Sequence, residues 1–182
     1  LKEDLLTLKQ EEVDLVFCPD YNNLYNNEKP VEIPLGNLDS VLEATKRKGH
    51  FQGVATVVSH FLSTFLPDNA YFGEKDYQQL RIIDHITQSL GLKTKILGCP
   101  IVREGDGLAM SSRNSLLNIE ERKLAVKLFE GLQFANHNAK KVSYGTLKDM
   151  VAALFDKYDE LALDYFKIAD PKTLKEISFD EP

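Results

Sequence analysis

The spacing of apolar and polar residues divides the first hundred positions into alternating helices and strands. Leucines among charged residues over 1–10 indicate the end of an amphipathic helix. Continuous apolar runs predict strands, and apolar residues three or four apart predict helices. The strands are expected at 13–19, 70–72 and 94–100, and the helices at 53–65 and 76–90. Because helices join successive strands, we expect parallel pairing in a doubly wound α/β sheet.

The stretches between these elements carry turn and edge signals. Residues 20–27 are rich in Asn and Tyr and predict a loop. Residues 31–35 alternate like a short strand, which Pro30 and Pro34 would keep at an edge of the sheet. A weak helical turn is expected at 39–45, followed by a basic loop at 46–53.

The pattern changes after Pro100. We predict a short strand at 101–103, a tight Glu104–Gly107 turn and a helix from an Asn118 N-cap to about residue 134. A helix at 144–158 and an alternating strand at 161–168 follow. This order predicts a partial nucleotide-binding domain over 1–100 and a small α+β domain over 101–182.

Composition and charge exclude several classes of protein. The 182 residues are 43% hydrophobic and 27% charged, which is typical of a globular chain with one domain or one and a half. The net charge of −6 argues against a nucleic acid or an anionic membrane as the main partner, but leaves room for a local basic pocket. No apolar run reaches the roughly 20 residues that span a bilayer. Cys18 and Cys99 are too few for a disulfide framework, so we predict a cytoplasmic protein.

The stretch Ala70–Leu80 has the build of a phosphate or nucleotide site. A short apolar run leads through Gly73 to three charged residues and then to a helix, whose free N–H groups can bind an anion. There, Lys75 can neutralise phosphate and Asp76 can hold ribose hydroxyls. The alternative is a surface charge cluster that caps a helix, since neither a GxGxxG nor a Walker A pattern is present.

A second polar loop at 110–114 offers complementary groups. Ser111 and Ser112 can donate hydrogen bonds, and Arg113 can stabilise negative charge on a leaving pyrophosphate. The alternative is an ordinary capped turn. The basic stretch 47–50 can hold an anion or be a solvated loop, and no pair of the four histidines has metal-ligand spacing.

Three stretches, taken together and in order, resemble the pantothenate synthetase (pantoate–β-alanine ligase) family. They are Gly49-His50-Phe51-x-Gly53-Val54-x-Thr56-Val57-Val58, Phe72-Gly73-Glu74-Lys75-Asp76-x-Gln78-Gln79-Leu80, and residues 98–114, which run from Gly98-Cys99-Pro100 to Met110-Ser111-Ser112-Arg113-Asn114. The resemblance covers about residues 1–175 and is strongest over 47–114.

The resemblance implies a cytosolic, usually homodimeric enzyme of the HIGH-type nucleotidyltransferases. Such an enzyme has a Rossmann-like domain and a smaller C-terminal domain that covers the active site. ATP and pantoate would react, with magnesium, to pantoyl adenylate and pyrophosphate. The amine of β-alanine would then attack the adenylate and release AMP and pantothenate.

The resemblance also implies roles for individual residues. Gly73 and Asp76 would hold the ribose, Gln79 would bind pantoate, Val102 would meet adenine through its backbone, and Arg47 would lie near the phosphates. The catalytic set would be Lys75, Ser111, Ser112 and Arg113. The ATP-binding set would be Gly73, Glu74, Lys75, Asp76, Val102, Met110, Ser111, Ser112 and Arg113. No protein ligand to a metal is implied.

The sequence departs from the family pattern in places. It contains no His-x-Gly-His turn, Lys48 stands where proline is usual, and Gln52 stands where a basic residue is common. The first residue is not Met, so we expect a piece of a longer enzyme that lacks its N-terminal segment and extreme C-terminus, and that makes no pantothenate alone. Two alternatives stay open: another adenylate-forming nucleotidyltransferase, or a non-catalytic nucleotide-binding module.

Overall fold

The computed structural model describes residues 1–20 and 32–179. In these residues six α-helices and two β-strands form the regular structure. In chain order they are α1 (Lys2–Gln10), α2 (His50–Phe65), β1 (Asn69–Gly73), α3 (Tyr77–Ser89), β2 (Lys95–Cys99), α4 (Ile119–Ala125), α5 (Lys127–Asn138) and α6 (Tyr144–Phe155). Short 3-10 helices occupy Gly36–Asp39, Leu42–Thr45, Glu74–Asp76 and Ser112–Leu116.

The two strands pair in parallel, as the sequence predicts. Their register runs from Asn69 opposite Lys95 to Gly73 opposite Cys99, and α3 is the crossover between them. The carboxyl ends of parallel strands lie at one edge of a sheet. The residues that follow Gly73 and those that follow Cys99 therefore leave the sheet side by side.

The predicted strand at 13–19 is wrong. These residues form no strand in the described chain, and Leu15 and Phe17 are 78% and 53% exposed. Phe17 instead meets Phe61 and Phe65 of α2 edge-on, with ring centroids 6.1 and 5.0 Å apart. Within this apolar run, Phe17 thus packs on a helix, a use that the sequence alone does not distinguish from a place in a sheet.

Two further predicted strands, at 31–35 and 161–168, show the right alternation but no ladder. Ile33 and Leu35 are buried, yet the backbone of Ile33 pairs with the Gln52 side chain, accepting at 2.8 Å and donating at 3.3 Å. Leu161 and Leu163 likewise pack on the core from an extended segment. The alternation therefore predicted correctly which side chains are buried, although the backbone groups form hydrogen bonds outside a sheet. Residues 21–27 of the predicted loop, and Val31, lie outside the described part of the chain.

Several helix boundaries also differ from prediction. The helix predicted to begin at residue 53 begins at His50, because Gly49 adopts φ +76° and turns the chain into α2, so the predicted loop at 46–53 ends early. The helix predicted to run to residue 134 is instead two helices, α4 and α5, which meet at Val126. The predicted Asn118 cap is confirmed as a full capping box with Glu121.

Two hydrophobic clusters hold the described chain together. The first joins α2 and α3 to the segment before them, and the second joins α5 and α6 to the segment after them. Leu174, far along the chain, is 3% exposed within the first cluster. The C-terminal segment therefore returns to the N-terminal part, while the division at residue 100 stays a prediction.

Candidate functional site

A cavity of about 410 Å³ opens at the carboxyl edge of the sheet. Its walls come from the 3-10 helix before α2, the first turns of α2 and α3, the polar loop after β2 and the C-terminal segment. The lining residues are Leu42, Glu43, Arg47, His50, Phe51, Lys75, Asp76, Tyr77, Gln78, Gln79, Arg113 and Tyr165. Of the predicted site residues, Arg47, Lys75, Asp76, Gln79 and Arg113 thus lie around one space.

The remaining predicted site residues are not among the cavity's lining residues in the described chain. They are Gly73, Glu74, Val102, Met110, Ser111 and Ser112. The backbone of Gly73, with φ of −70° and ψ of 131°, is in a conformation open to any residue, so the turn after β1 does not require glycine. The side chain of Glu74 instead lies against Gly98 of β2, where a Cβ atom would come within 3.0 Å of its carboxylate oxygen.

Two helix N-termini meet at the cavity. His50 and Phe51 are the first residues of α2, and Tyr77, Gln78 and Gln79 are the first of α3. Neither helix has a side-chain cap that accepts from its first-turn N–H groups. The free N–H groups of a helix start carry partial positive charge and bind anions. Both helices therefore favour an anion in this space.

The charged side chains add to this preference. Arg47, Lys75 and Arg113 face two carboxylates, Glu43 and Asp76, so the cavity has an excess of positive charge in a chain whose net charge is −6. In the described part of the chain, neither Lys75 nor Arg113 forms an ion pair. Unpaired cations at the mouth of a cavity are available to bind phosphate groups.

His50 is a neutral group in this wall. Partial burial, followed by the positive charge of Arg47, lowers the pKa of His50 below its usual value. Its Nδ1 lies 3.4 Å from Nη2 of Arg47. A neutral imidazole can accept or donate a hydrogen bond here without adding to the positive charge.

A buried glutamine holds the turn that brings Leu42 and Glu43 to the cavity wall. The Gln78 side chain donates to the carbonyls of Leu38 and Val41 at 2.8 and 2.9 Å and accepts from the amide of Glu43 at 3.1 Å. These bonds flank Leu42, which holds a strained backbone with φ +48°. Gln78 and Gln79 both line the cavity, but Gln78 is only 7% exposed and its amide is taken up by bonds within the fold.

The Glu43 carboxylate is held from the other side by the C-terminal segment. It accepts a 2.6 Å hydrogen bond from the Tyr165 hydroxyl. Burial, followed by this bond, raises the pKa of Tyr165, so the phenol stays a donor at neutral pH. Next to it Lys46 pairs with Asp164 at 2.8 Å. The segment around residue 165 is thereby part of the cavity wall.

The second polar loop is a capped turn, one of the two readings of its sequence. The Ser111 hydroxyl oxygen accepts from the Arg113 amide at 3.2 Å and caps the 3-10 helix that follows. The Arg113 side chain nevertheless lines the cavity with Lys75. The tight turn predicted before the loop is confirmed, since the Gly107 amide donates to the carbonyl of Glu104 at 2.9 Å. The strand predicted at 101–103 is wrong, because Arg103 forms a single antiparallel bridge with Ala109 and no strand.

A sequence model of the family described as pantoate-beta-alanine ligase matches residues 1–181. The chain belongs to the pantoate-beta-alanine ligase family. Among curated relatives, a pantothenate synthetase of Christiangramia forsetii is 42% identical over all of this chain and 65% of its own length. One of Aquifex aeolicus is 38% identical over 93% of this chain and 61% of its own length. The chain thus spans less than two thirds of the relatives that it matches.

Solved structures of the pantoate-beta-alanine ligase family have the same fold. A pantothenate synthetase of Thermus thermophilus superposes with a TM-score of 0.89 at 37% identity, over 97% of this chain and 65% of that one. A pantoate-beta-alanine ligase of Francisella tularensis, described as complexed with beta-gamma ATP and beta-alanine, has a TM-score of 0.70 at 32% identity, over 85% of this chain and 58% of its own. The predicted α/β class, a partial Rossmann-like domain followed by a small α+β unit, is confirmed.

The pantoate-beta-alanine ligase motifs do not point to every residue of the cavity wall. Glu43 and Tyr165 are not predicted, because only the folded chain brings the segment around residue 165 against the turn before α2. His50 belongs to one of the family motifs, yet the sequence does not decide whether residues 47–50 bind an anion or form a solvated loop. The sequence signal for a helix start at His50 was the glycine before it, because glycine readily adopts a positive φ such as the +76° seen here.

The described residues offer no dedicated metal site. Among residues 1–20 and 32–179, no group of three or more His, Cys, Asp or Glu side chains lies close enough together to hold a metal ion. We therefore assign magnesium no ligand in this part of the chain. Within the same residues, no helix is long and apolar enough to cross a membrane.

Proposed function

We propose that the full-length protein that contains this chain condenses pantoate with β-alanine, using ATP, through a pantoyl-adenylate intermediate. The observation that carries the proposal is the meeting of Lys75, Asp76 and Gln79, at the start of α3, with Arg113 from the loop after β2 around one cavity. The names of the relatives support it, and so does the family member described with ATP and β-alanine.

In the first step a carboxylate oxygen of pantoate attacks the α-phosphorus of ATP. A bond forms between that oxygen and the phosphorus, and the bond from the α-phosphorus to the bridging oxygen breaks, so pyrophosphate leaves. Negative charge accumulates on the phosphate oxygens throughout. Positioning and fixed positive groups therefore supply most of the catalysis in such a transfer.

Lys75 and Arg113 are the groups that we assign to this charge. Both are exposed side chains without an ion pair in the described residues, so no existing salt bridge must break before phosphate binds. Ser111 and Ser112 would donate to the phosphates. Although the Ser111 oxygen already accepts from Arg113, its O–H remains free to donate.

The remaining roles concern the two substrates. Gln79, on the first turn of α3, would bind the hydroxyl groups or carboxylate of pantoate, and Asp76 would hold the ribose. Arg47 would lie on the phosphate side. The backbone at Gly73, Glu74, Val102 and Met110 would border the nucleotide outside the cavity walls described above.

In the second step the amine of β-alanine attacks the acyl carbon of the adenylate. A C–N bond forms, the bond from the acyl carbon to the phosphate oxygen breaks, and AMP leaves with that oxygen. The amine loses a proton as the amide forms. The neutral His50 and the carboxylate of Glu43 are the groups of the cavity wall that can accept or relay it.

We further propose that magnesium arrives with ATP, that the full-length protein is a homodimer, and that it acts in the cytoplasm. Magnesium binds through substrate phosphates in many ATP enzymes, which suits a site without a group of metal ligands in the described residues. The unpaired thiols Cys18 and Cys99 suit a reducing compartment. Sedimentation of the full-length protein tests the dimer.

Exchange of labelled pyrophosphate into ATP tests the reaction. The full-length protein should catalyse exchange with pantoate alone, without β-alanine, because adenylate formation precedes amine attack. A panel of other short hydroxy acids and β-alanine itself serves as the control. Exchange with another acid and not with pantoate would identify a different adenylate-forming enzyme. Binding of ATP without any exchange would indicate a non-catalytic nucleotide-binding protein.

A further inference from the structure

One carboxylate at the base of the second polar loop collects hydrogen bonds from both sides of it. Oε1 of Glu104 accepts from Nδ2 of Asn114 at 2.8 Å, and Oε2 accepts from Nη2 of Arg122 at 2.7 Å. The side chains of Glu104 and Arg122 are each 32% exposed. Glu104 thus links the hairpin before the loop to Asn114 at its end and to helix α4.

Arg122 also holds the tip of the hairpin. Its Nη2 donates to Oδ2 of Asp106 at 2.8 Å, while Oδ1 of Asp106 accepts from the amide of Leu108 at 3.1 Å. One guanidinium therefore bridges two carboxylates that stand two residues apart on the turn. Hydrogen bonds from Arg122 and Asn114 lower the pKa of Glu104, so the carboxylate is charged at neutral pH.

Asn114 links this hydrogen-bond network to the backbone next to Arg113. Its Nδ2 donates to the carbonyl of Ala109 at 3.1 Å as well as to Glu104, and its amide donates to the carbonyl of Ser111 at 3.0 Å. These bonds close the loop between residues 109 and 114 on itself. Arg113 lies between the Ser111 cap and this closure, so its backbone is fixed at both sides.

The hairpin is also seated on α5. The Arg103 guanidinium stacks on the Phe129 ring at 3.8 Å and donates to the carbonyl of Gly107 at 3.1 Å. Gly107 has φ +92°, and a Cβ atom there would lie 2.7 Å from Phe129. The base of the loop therefore has little freedom to shift relative to the helices.

We propose that Glu104 and Arg122 are positioning residues, which act through Asn114 to hold Arg113 in the cavity where adenylate transfer takes place. They touch neither Lys75 nor the cavity, so they are not catalytic residues themselves. This assignment rests on the proposed function for its catalytic consequence. Its structural consequence, a fixed loop, is independent of it.

Amide hydrogen exchange in the full-length protein tests the structural consequence. Glu104→Gln should speed exchange at Asn114 and Leu117, whose amides donate to Ser111 and Asn114 within the loop. Glu120→Gln is the matched control, because among the described residues the Glu120 side chain pairs only with Lys123 on α4. Amides of α3 should stay equally protected in both variants. Equal exchange of the loop amides in the two variants would overturn the proposal.

Steady-state kinetics of pyrophosphate exchange in the full-length protein test the catalytic consequence. Glu104→Gln should lower kcat by up to about 100-fold, because a misplaced binding group costs rate, with KM for pantoate unchanged. In an Arg113→Ala background the same change should have no further effect. Equal losses in both backgrounds, or a faster-exchanging loop with normal kcat, would contradict positioning through Arg113. An inactive wild type would refute the proposed function alone, since the hydrogen-exchange result stands without it.

Arg122→Lys gives a second variant with the charge retained. Lysine cannot reach both carboxylates in the fork geometry of arginine, so it should reproduce the faster loop exchange in weaker form. Loop exchange at the wild-type rate in this variant would show that the fork is not needed, and would overturn the role of Arg122.

Discussion

Two cations define the site at the scale of single residues. Lys75 follows β1 and Arg113 follows the hairpin after β2, yet both line one cavity and neither has an ion-pair partner in the described chain. An unpaired surface cation adds little to stability, and its charge is available to an anionic ligand. Their removal should therefore affect activity and not folding.

We expect Lys75→Ala and Arg113→Ala in the full-length protein to lower the rate of adenylate formation by about 100-fold or more each, with the melting temperature unchanged. Lys93→Ala is the matched control, since Lys93 is exposed and does not line the cavity. Pyrophosphate exchange measures the rate. Near-normal exchange in either cavity variant would remove that residue from the site.

Gln78 stabilises the fold, whereas its neighbour Gln79 is assigned to substrate binding. Substitution of each should distinguish these two roles. Gln78→Met loses three hydrogen bonds and leaves buried carbonyls unpaired, which should cost about 2 kcal/mol or more of unfolding free energy. Gln79→Met should stay within about 0.5 kcal/mol of the wild type. Denaturant unfolding of the chain measures both. A smaller loss for Gln78→Met than for Gln79→Met would show that the buried network is misassigned.

At the scale of elements, the first turns of α2 and α3 form part of the site, and a glycine allows the chain to enter α2. Gly49 holds φ +76° immediately before α2, with no atom near its absent side chain. The conformation, and not the space, therefore requires glycine there. Gly53, one turn later, is an exposed helical residue with open space around it.

This contrast predicts opposite effects of one substitution. Gly49→Ala should destabilise the chain by about 1–2 kcal/mol, because alanine is strained at positive φ. Gly53→Ala should stabilise it by about 0.5–1 kcal/mol, as alanine does inside a helix. Thermal unfolding of the two variants is the measurement. Equal effects would mean that α2 does not begin at His50.

The start of α6 makes a pH-dependent prediction. The Tyr144 hydroxyl donates to Glu176 at 2.6 Å, and burial, followed by that bond, raises the pKa of Tyr144 to about 12. A free tyrosine ionises near pH 10, so between about pH 10 and 12 the unfolded chain ionises first and stability falls. Tyr144→Phe removes this term.

The unfolding free energy of the wild type should therefore drop on the order of 2 kcal/mol more than that of Tyr144→Phe as the pH rises from 10 to 12. The stabilisation should be fully present below pH 10 in the wild type. Urea unfolding across this pH range measures the difference. Parallel curves for the two proteins would show that Tyr144 keeps its ordinary pKa.

Periodicity predicts some of these elements and not others, for identifiable reasons. Helix α3 and both paired strands follow from apolar spacing, because each repeats its pattern over a full element. The run at 13–19 misleads because an apolar residue such as Phe17 can pack on a neighbouring helix as well as in a strand. Alternation around 161–168 gives the buried side correctly, whereas hydrogen bonding of the backbone depends on partners elsewhere in the chain.

At the scale of the whole molecule, long-range contacts complete the site. Leu174 enters the first core cluster, and Tyr165 reaches Glu43 across 122 positions of sequence. Motifs predicted that the two loops meet, since their residues share one chemistry. The motifs did not predict the wall formed by the segment around Tyr165. A tyrosine in an alternating segment does not indicate which distant carboxylate it will bind.

We propose that ATP phosphates bind between Lys75 and Arg113. A crystal structure of the full-length protein with pantoate and a non-hydrolysable ATP analogue tests it most directly. We expect phosphate oxygens within about 2.7–3.2 Å of both Nζ of Lys75 and the guanidinium of Arg113. The claim is contradicted if the phosphates bind elsewhere, for example in the separate basic cavity lined by Arg122, Lys123 and Lys127.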